Sequence, residues 1–431
     1  MLARDGPAPT RDGPATSRDG PAPTRGWRPT SRRGRSTLLA MVTSNPALAR
    51  LGGYPLAAFQ DLATTLRADG RPLHDFSIGD PDEPTPRFIR EALLDAVGPV
   101  SRYPTAAGQP ALRAAVAGWM ARRHGVTVDP GEHVLPSAGS KEAIFHLPLA
   151  VLDPHGPRRN VLWGEPGYPV YGRGALFAGG ASDPVMLTPE AGWRLSLADL
   201  PADRLQRACI AWVNHPHNPT GSTADLGWYR EQVAVAREHD LLLASDECYQ
   251  EIWFDTPPPS VLEACDGDLT GVLAFVSLSK RSGMTGYRSG AIVGDPELIR
   301  RLRQLRPNVG TAAPDFVQAA AIAAWGDQDH VDQRRAVFAA KRAVVLEHLH
   351  AMGIEVSGSD ATFYVWFRAP GGDDAAYAEA LLRERIVASP GRAFGPGGTG
   401  WLRLALVPTV DGCRAAMASW RDALDAGRLP V

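Results

Sequence analysis

"SLSKRSGMTGYRSG" spans residues 277–290, and its reading decides how the rest of the chain is understood. It contains Lys280, one of only three lysines in 431 residues; the others are Lys141 and Lys341. Lysine and arginine together number 45, so almost every positive charge is an arginine. An amine can lose its proton and become a nucleophile, whereas a guanidinium does not deprotonate in proteins. A lysine kept here marks a place where the nitrogen itself is needed. Two serines precede it, and Arg288 follows eight residues on. Hydroxyls and a guanidinium suit a phosphate dianion.

Outward from this stretch, short apolar runs alternate with helical patterns. "NVLWG" (160–164), "ACIAWVN" (208–214), "DLLLASDE" (240–247), "VLAFVSLS" (272–279) and "GAIVGD" (290–295) are continuously apolar rather than alternating. That is the mark of strands covered on both faces, as in a mostly parallel α/β sheet. Helical patterns such as "LGWYREQVAVAREH" (226–239) lie between them, which predicts a doubly wound α/β architecture. Ligands in such sheets bind beyond the carboxyl ends of the strands, where this chain places "NHPHNPTG", "SDECYQE" and "SLSKRS". "PELIRRLRQLR" and "AVFAAKRAVVLEHLHAMG" predict long amphipathic helices, and "ATFYVWF" and "GWLRLALV" predict two further strands. The expected division is 1–40 as a low-complexity tail, 41–75 as a segment joining a smaller domain, 76–310 as a large domain and 311–431 as the small α/β domain.

The tail reads "RDGPAPT RDGPATS RDGPAPT", one unit repeated three times over residues 4–24. It has no apolar a/d pair for a coiled coil, and proline and glycine in every copy break helix and strand alike. Disorder is the expectation, with Met41 as a sensible start and the preceding residues as an inert extension. The whole chain carries a net charge of -2, which points to neither nucleic acid nor an anionic membrane. No apolar run reaches the roughly 18–20 residues that span a bilayer. Cys209, Cys248, Cys265 and Cys413 are scattered without metal-binding spacing, so no metal is expected and a reducing cytoplasm fits.

Three further stretches carry candidate chemistry. In "HPHNPTG" (215–221) two X-Pro bonds and an Asn-Pro-Thr-Gly turn shape a rigid loop after a buried strand, compatible with a cis peptide at Asn218–Pro219. In "SDECY" (245–249) Asp246 follows an apolar strand, where a carboxylate needs a cation or several donors. "SAGSKEAIFHLPLAVL" (137–152) is a small-residue loop opening an apolar helix. Its free N–H groups, with Ser140 as the expected cap and Lys141 beside it, form an anion site. Taken singly, each stretch also reads as an ordinary turn, helix cap or capped helix.

Their joint order is specific. A Gly-containing loop, an aromatic in "EPGYPVY", an Asn, Asp-x-x-Tyr and Ser-x-x-Lys-(x)7-Arg follow one another along the chain. Over residues 44–425 the sequence resembles the class I/II aminotransferase family of pyridoxal-phosphate enzymes, fold type I. The resemblance implies a large domain with a mostly parallel seven-stranded sheet and a smaller α/β domain. It implies that Lys280 is covalently joined to pyridoxal 5'-phosphate and shuttles the substrate proton. Asp246 would hold the ring nitrogen protonated, Asn218 and Tyr249 would bond the ring oxygen, and Tyr168 would stack on the ring. Backbone N–H groups of Gly139, Ser140 and Lys141, with Ser277 and Arg288, would hold the phosphate. Tyr103, in "SRYPTAAGQPALR", matches a tyrosine that reaches the phosphate of the neighbouring subunit, which implies a homodimer. Arg403 and Gly79 match the residues that receive the substrate α-carboxylate, with Asn218 beside them. The chain departs from the family in "SDATFYVW", where many relatives have glycines.

Within the family the loops look most like bacterial N-succinyl-L,L-diaminopimelate aminotransferases of lysine biosynthesis, which take glutamate as donor. The alternatives are direct L,L-diaminopimelate aminotransferases, which share the "GSKE" loop, and broad aspartate or aromatic aminotransferases. A transcription regulator that fuses this fold to an N-terminal winged-helix domain and uses the cofactor only for sensing is a reading from another class, but forty residues rich in Pro and Gly cannot build a winged helix. A long acidic substrate needs cations beyond Arg403. Arg281 is expected either to supply one or to pack on the surface, and Lys341, in "AAKRAVV", reads as a solvated surface charge.

Overall fold

The structure is a computed structural model that describes residues 45–51, 57–68 and 70–430. The repeat tail and Met41 lie outside the described residues. Contacts divide the chain after Arg50. In the first unit Pro46–Arg50 forms a short helix, and the second unit, Leu51–Val431, holds everything described below.

Twelve strands are defined among the described residues of the second unit: β1 (His74–Asp75), β2 (Val134–Ser137), β3 (Asn160–Glu165), β4 (Ala181–Met186), β5 (Ala208–Asn214), β6 (Leu242–Asp246), β7 (Val272–Ser277), β8 (Gly290–Gly294), β9 (Tyr364–Arg368), β10 (Ile386–Val387), β11 (Ser389–Pro390) and β12 (Trp401–Ala405). Seven of them form one sheet in the order β2-β8-β7-β6-β5-β3-β4. Only β8 runs against its neighbours; β3–β4, β3–β5, β5–β6 and β6–β7 are parallel. A second sheet, β11-β12-β9, is antiparallel, and β1 pairs with β10.

The apolar runs are continuous because each strand feeds two cores. Leu243, Ala274, Val276 and Val293 face one core; Leu242, Ala244, Leu273, Phe275 and Ile292 face the other. A third cluster surrounds the smaller sheet, with Phe338, Phe363, Val365, Leu402, Leu404 and Trp420 fully buried. The predicted helices form where caps start them. Asp295 accepts from the N–H groups of Glu297 and Leu298 at 2.7 and 3.1 Å and opens Pro296–Val309. Asp225 does the same for Leu226–Glu238 through the Trp228 N–H at 2.8 Å.

Two strands lack the apolar signature. β2 ("VLPS") and β4 ("ASDPVM") are the outer strands of the large sheet, and each contains a proline. An edge strand has one unpaired side, so it tolerates proline and polar residues that a central strand would not.

Lys341 corrects the expectation of a solvated charge. It is 1% exposed, its ammonium ion-pairs with Glu83, and it donates to the Leu406 and Val407 carbonyls at 3.1 and 3.0 Å. It ties the helix Asp329–Ala351 to the loop after β1 and to the end of β12.

Candidate active site

The large sheet delivers its polar residues to one edge. Asn214 ends β5, Asp246 ends β6 and Ser277 ends β7, all strands running in the same direction. Antiparallel β8 begins at that edge, so Gly290 lies opposite Ser277 on one side and Ser137 on the other. Arg288 and the start of the helix Ser140–Val151 therefore meet beside Ser277. The smaller sheet closes the far side with Tyr364 and Arg403. Between them is a cavity of about 470 Å³ lined by Gly79, Ser140, Lys141, Tyr168, Asn218, Asp246, Tyr249, Ser277, Lys280, Arg288 and Arg403. These are the sequence-derived candidates, gathered from both sheets.

Lys280 sits in a four-residue helix that starts directly after β7. Ser277 caps it, accepting from the Ser279 N–H at 3.1 Å, which leaves the serine proton to donate. The Lys280 ammonium donates to the Gly79 carbonyl and lies 5.6 Å from the Phe363 ring centroid. Burial pushes its pKa down to about 8, opposed by Asp80 and Cys248 and reinforced by Arg403 and Arg288. A neutral amine is thus accessible near physiological pH.

Asp246 is buried at the floor. Tyr171 donates to its Oδ2 at 2.8 Å and the Cys248 N–H to its Oδ1 at 3.2 Å. Burial raises its pKa, and these neutral donors only partly offset that cost. The site suits a cationic partner that restores the carboxylate. No sequence motif singles out Tyr171. It lies three residues after Tyr168 and stacks on Trp212, with ring centroids 5.0 Å apart.

The anion end corrects one detail. Gly139, not Ser140, is the N-cap of Ser140–Val151, with φ 82°. The Ser140 hydroxyl instead accepts from Cys248 Sγ at 2.9 Å. A Cβ on Gly139 would overlap the Arg288 guanidinium, whose Nη1 donates to Thr285 O at 2.9 Å. The glycine thus lets the guanidinium lie against free N–H groups at a helix start.

At the opposite end Arg403, on β12, is 4% exposed. Its Nη1 donates to Asn218 Oδ1 at 2.9 Å and its Nη2 to the Ser77 carbonyl at 2.8 Å. Its guanidinium carbon is 4.2 Å from the Tyr364 ring centroid and 4.5 Å from that of Phe394. Its Nε is buried with no partner among the described residues. Asn218 is itself fixed, its N–H donating to Asn214 Oδ1 at 3.0 Å.

Two candidates stand elsewhere. Tyr103 is fully exposed and does not line the cavity. Arg281 neither enters the cavity nor lies on the surface, against both expectations. It is 3% exposed, donates to the Ala324 and Asp327 carbonyls at 2.7 and 3.0 Å, and faces the Trp325 ring at 5.2 Å with Glu251 at 3.5 Å. One step along a helix from Lys280 turns a side chain by about 100°, from the site into the core.

Known proteins share this fold. Residues 71–418 match the family model "Aminotransferase class I and II". The chain belongs to the class I and II aminotransferases. It is 39% identical over 363 residues to the LL-diaminopimelate aminotransferase of Desulforudis audaxviator strain MP104C, covering 83% of this chain and 92% of that one. The crystal structure of an aminotransferase from Neisseria meningitidis Z2491 is 34% identical with a TM-score of 0.81, covering 89% of this chain and 100% of that one. A probable N-succinyldiaminopimelate aminotransferase from Thermus thermophilus is 29% identical with a TM-score of 0.79, covering 86% and 100%.

This aminotransferase family uses pyridoxal phosphate. The donor set fits that group. A buried carboxylate held only by neutral donors suits a ring N–H⁺, a lysine of lowered pKa suits an aldehyde, and a glycine-floored cradle beside Arg288 suits a phosphate.

Proposed function

We propose that this aminotransferase acts on L,L-diaminopimelate, exchanging its amino group with the glutamate/2-oxoglutarate pair in a ping-pong reaction of lysine biosynthesis. The name of the Desulforudis audaxviator relative supports this reading. What carries it over the N-succinyl substrate is the 39% identity to that relative, against 29% for the Thermus thermophilus neighbour; Arg281, weighed as a cation for a longer acidic substrate, is turned into the core. A diaminopimelate molecule has a second amino-acid head bearing both charges, and the cavity offers both signs in Lys141 and Asp80. The N-succinyl reading remains second, supported by the Thermus thermophilus neighbour.

When bound, pyridoxal phosphate supplies an electron sink for the substrate α carbon. Lys280 would take the proton from the α carbon of the amino donor and, in the second half-reaction, supply one to the α carbon of the acceptor, a task suited to an amine of pKa about 8. Asp246 would keep the ring nitrogen protonated, and Asn218 and Tyr249 would donate to the ring oxygen. Tyr168 would cover the ring. The N–H groups of Gly139, Ser140 and Lys141, with Ser277 and Arg288, would hold the phosphate. Arg403 takes the α-carboxylate as a two-pronged donor, with Gly79 and Asn218 beside it.

The same proposal includes a cytoplasmic homodimer in which Tyr103 reaches the partner's cavity. Exposed Leu94, Val97 and Val100, close to Tyr103 in sequence, support a buried contact there. It also retains a larger part, 76–310, and a smaller part, 311–431, with the residues of β1 joined to the latter. The β1–β10 pairing supports that join.

Single-turnover mixing tests the substrate. The cofactor-loaded protein is mixed in turn with L,L-diaminopimelate, its N-succinyl derivative, glutamate, aspartate and phenylalanine, and the near-visible absorbance band is followed. L,L-diaminopimelate and glutamate should discharge the band fastest. An inert L,L-diaminopimelate beside a fast N-succinyl derivative or aspartate would overturn the assignment.

A further inference from the structure

We propose that Tyr364 is a positioning residue that couples the carboxylate end of the cavity to the Tyr249 phenol; this rests on the placement of Tyr249 proposed above. Tyr364 is the first residue of β9, on the smaller sheet, while Tyr249 follows β6 on the larger one. Their hydroxyls are 3.0 Å apart. Both rings are buried, with centroids 5.5 Å apart. A second contact is Arg403, whose guanidinium lies 4.2 Å from the Tyr364 ring centroid. The third is Gly79. A Cβ there would overlap the Tyr364 hydroxyl, and the Gly79 carbonyl is the acceptor for Lys280.

One side chain therefore touches the residue proposed for the ring oxygen, the arginine proposed for the carboxylate, and the backbone that holds Lys280. A phenol has one proton to donate. With Tyr364 donating to Tyr249, the Tyr249 proton is free to point into the cavity, and donation in series strengthens it. The Tyr364 ring meanwhile holds the guanidinium by its π face. The hydroxyl thus tunes the cofactor end and the ring supports the substrate end, two effects that separate substitutions distinguish.

The test is the pH titration of the near-visible band in purified holoenzyme, with steady-state kinetics. A hydrogen bond to the ring oxygen favours loss of the proton from the lysine–cofactor bond, so weakening it raises the midpoint. Tyr364→Phe keeps the ring and should raise the midpoint by about half to one pH unit, lowering kcat several-fold with KM little changed. Tyr364→Leu should in addition raise KM for amino donor and oxo acceptor together. Tyr249→Phe should shift the midpoint in the same direction, and Tyr364→Phe added to it should shift it no further. A merely structural role would lower thermal stability or cofactor content and leave the midpoint in place. A wild-type midpoint in Tyr364→Phe with a shifted one in Tyr249→Phe would overturn the coupling and leave Tyr249 where it was proposed. An unshifted Tyr249→Phe would overturn both.

Discussion

Arg403 Nη1 donates to Asn218 Oδ1 at 2.9 Å, joining residues 185 apart in sequence, one on β12 and one in the loop after β5. The bond orients the guanidinium on the ring face of Tyr364. Asn218 is held in turn by Asn214, the last residue of β5.

Asn218→Ala should therefore raise KM for donor and acceptor alike, by about tenfold or more, the worth of one hydrogen bond to a charged group. Both substrates carry an α-carboxylate. Steady-state kinetics with each substrate varied in turn checks this, and a change confined to one of them would contradict the assignment of Arg403.

Lys341→Met should destabilise the protein, on the order of 3 kcal/mol, because it strands the Glu83 carboxylate without its ammonium. Urea unfolding followed by tryptophan fluorescence measures it. Adding Glu83→Gln should recover part of the loss. An unchanged midpoint in Lys341→Met would mean that the pair contributes nothing.

The order of the chemical groups along the chain is legible in the sequence; their tertiary partners are not. Lys280, Asp246, Arg288 and Arg403 stand in motifs whose spacing carries a signal, and the continuous apolar runs mark all five central strands. Tyr171 and Tyr364 act through residues 75 and 115 positions away, and no local pattern sets them apart from core aromatics. Lys341 looks solvated in sequence for the same reason: its partner Glu83 is 258 residues distant. Arg281 borrows its promise from its neighbour Lys280, whereas helix geometry turns it toward Trp325 and Glu251.

Burial of Lys280 predicts a pH signature in cofactor-free protein. Its pKa falls from 10.5 to about 8 on folding. Between these values the unfolded chain binds more protons than the folded one, so stability rises with pH across that window. Below it the full penalty applies, on the order of 3 kcal/mol for a shift of this size. Lys280→Met removes the penalty. The stability of the variant minus that of wild type should be largest below pH 8 and shrink toward pH 10.5. Denaturation of both apo proteins at several pH values checks this, and a difference independent of pH would contradict it.

The most direct measurement uses the scarcity of lysine. Borohydride reduction of the holoenzyme fixes the cofactor on whichever amine it is joined to, and peptide mass spectrometry then locates it among Lys141, Lys280 and Lys341. The cofactor mass should appear on the peptide containing Lys280 and disappear in Lys280→Ala. Label on the peptide of Lys141 or Lys341, or its persistence in Lys280→Ala, would contradict the site described above.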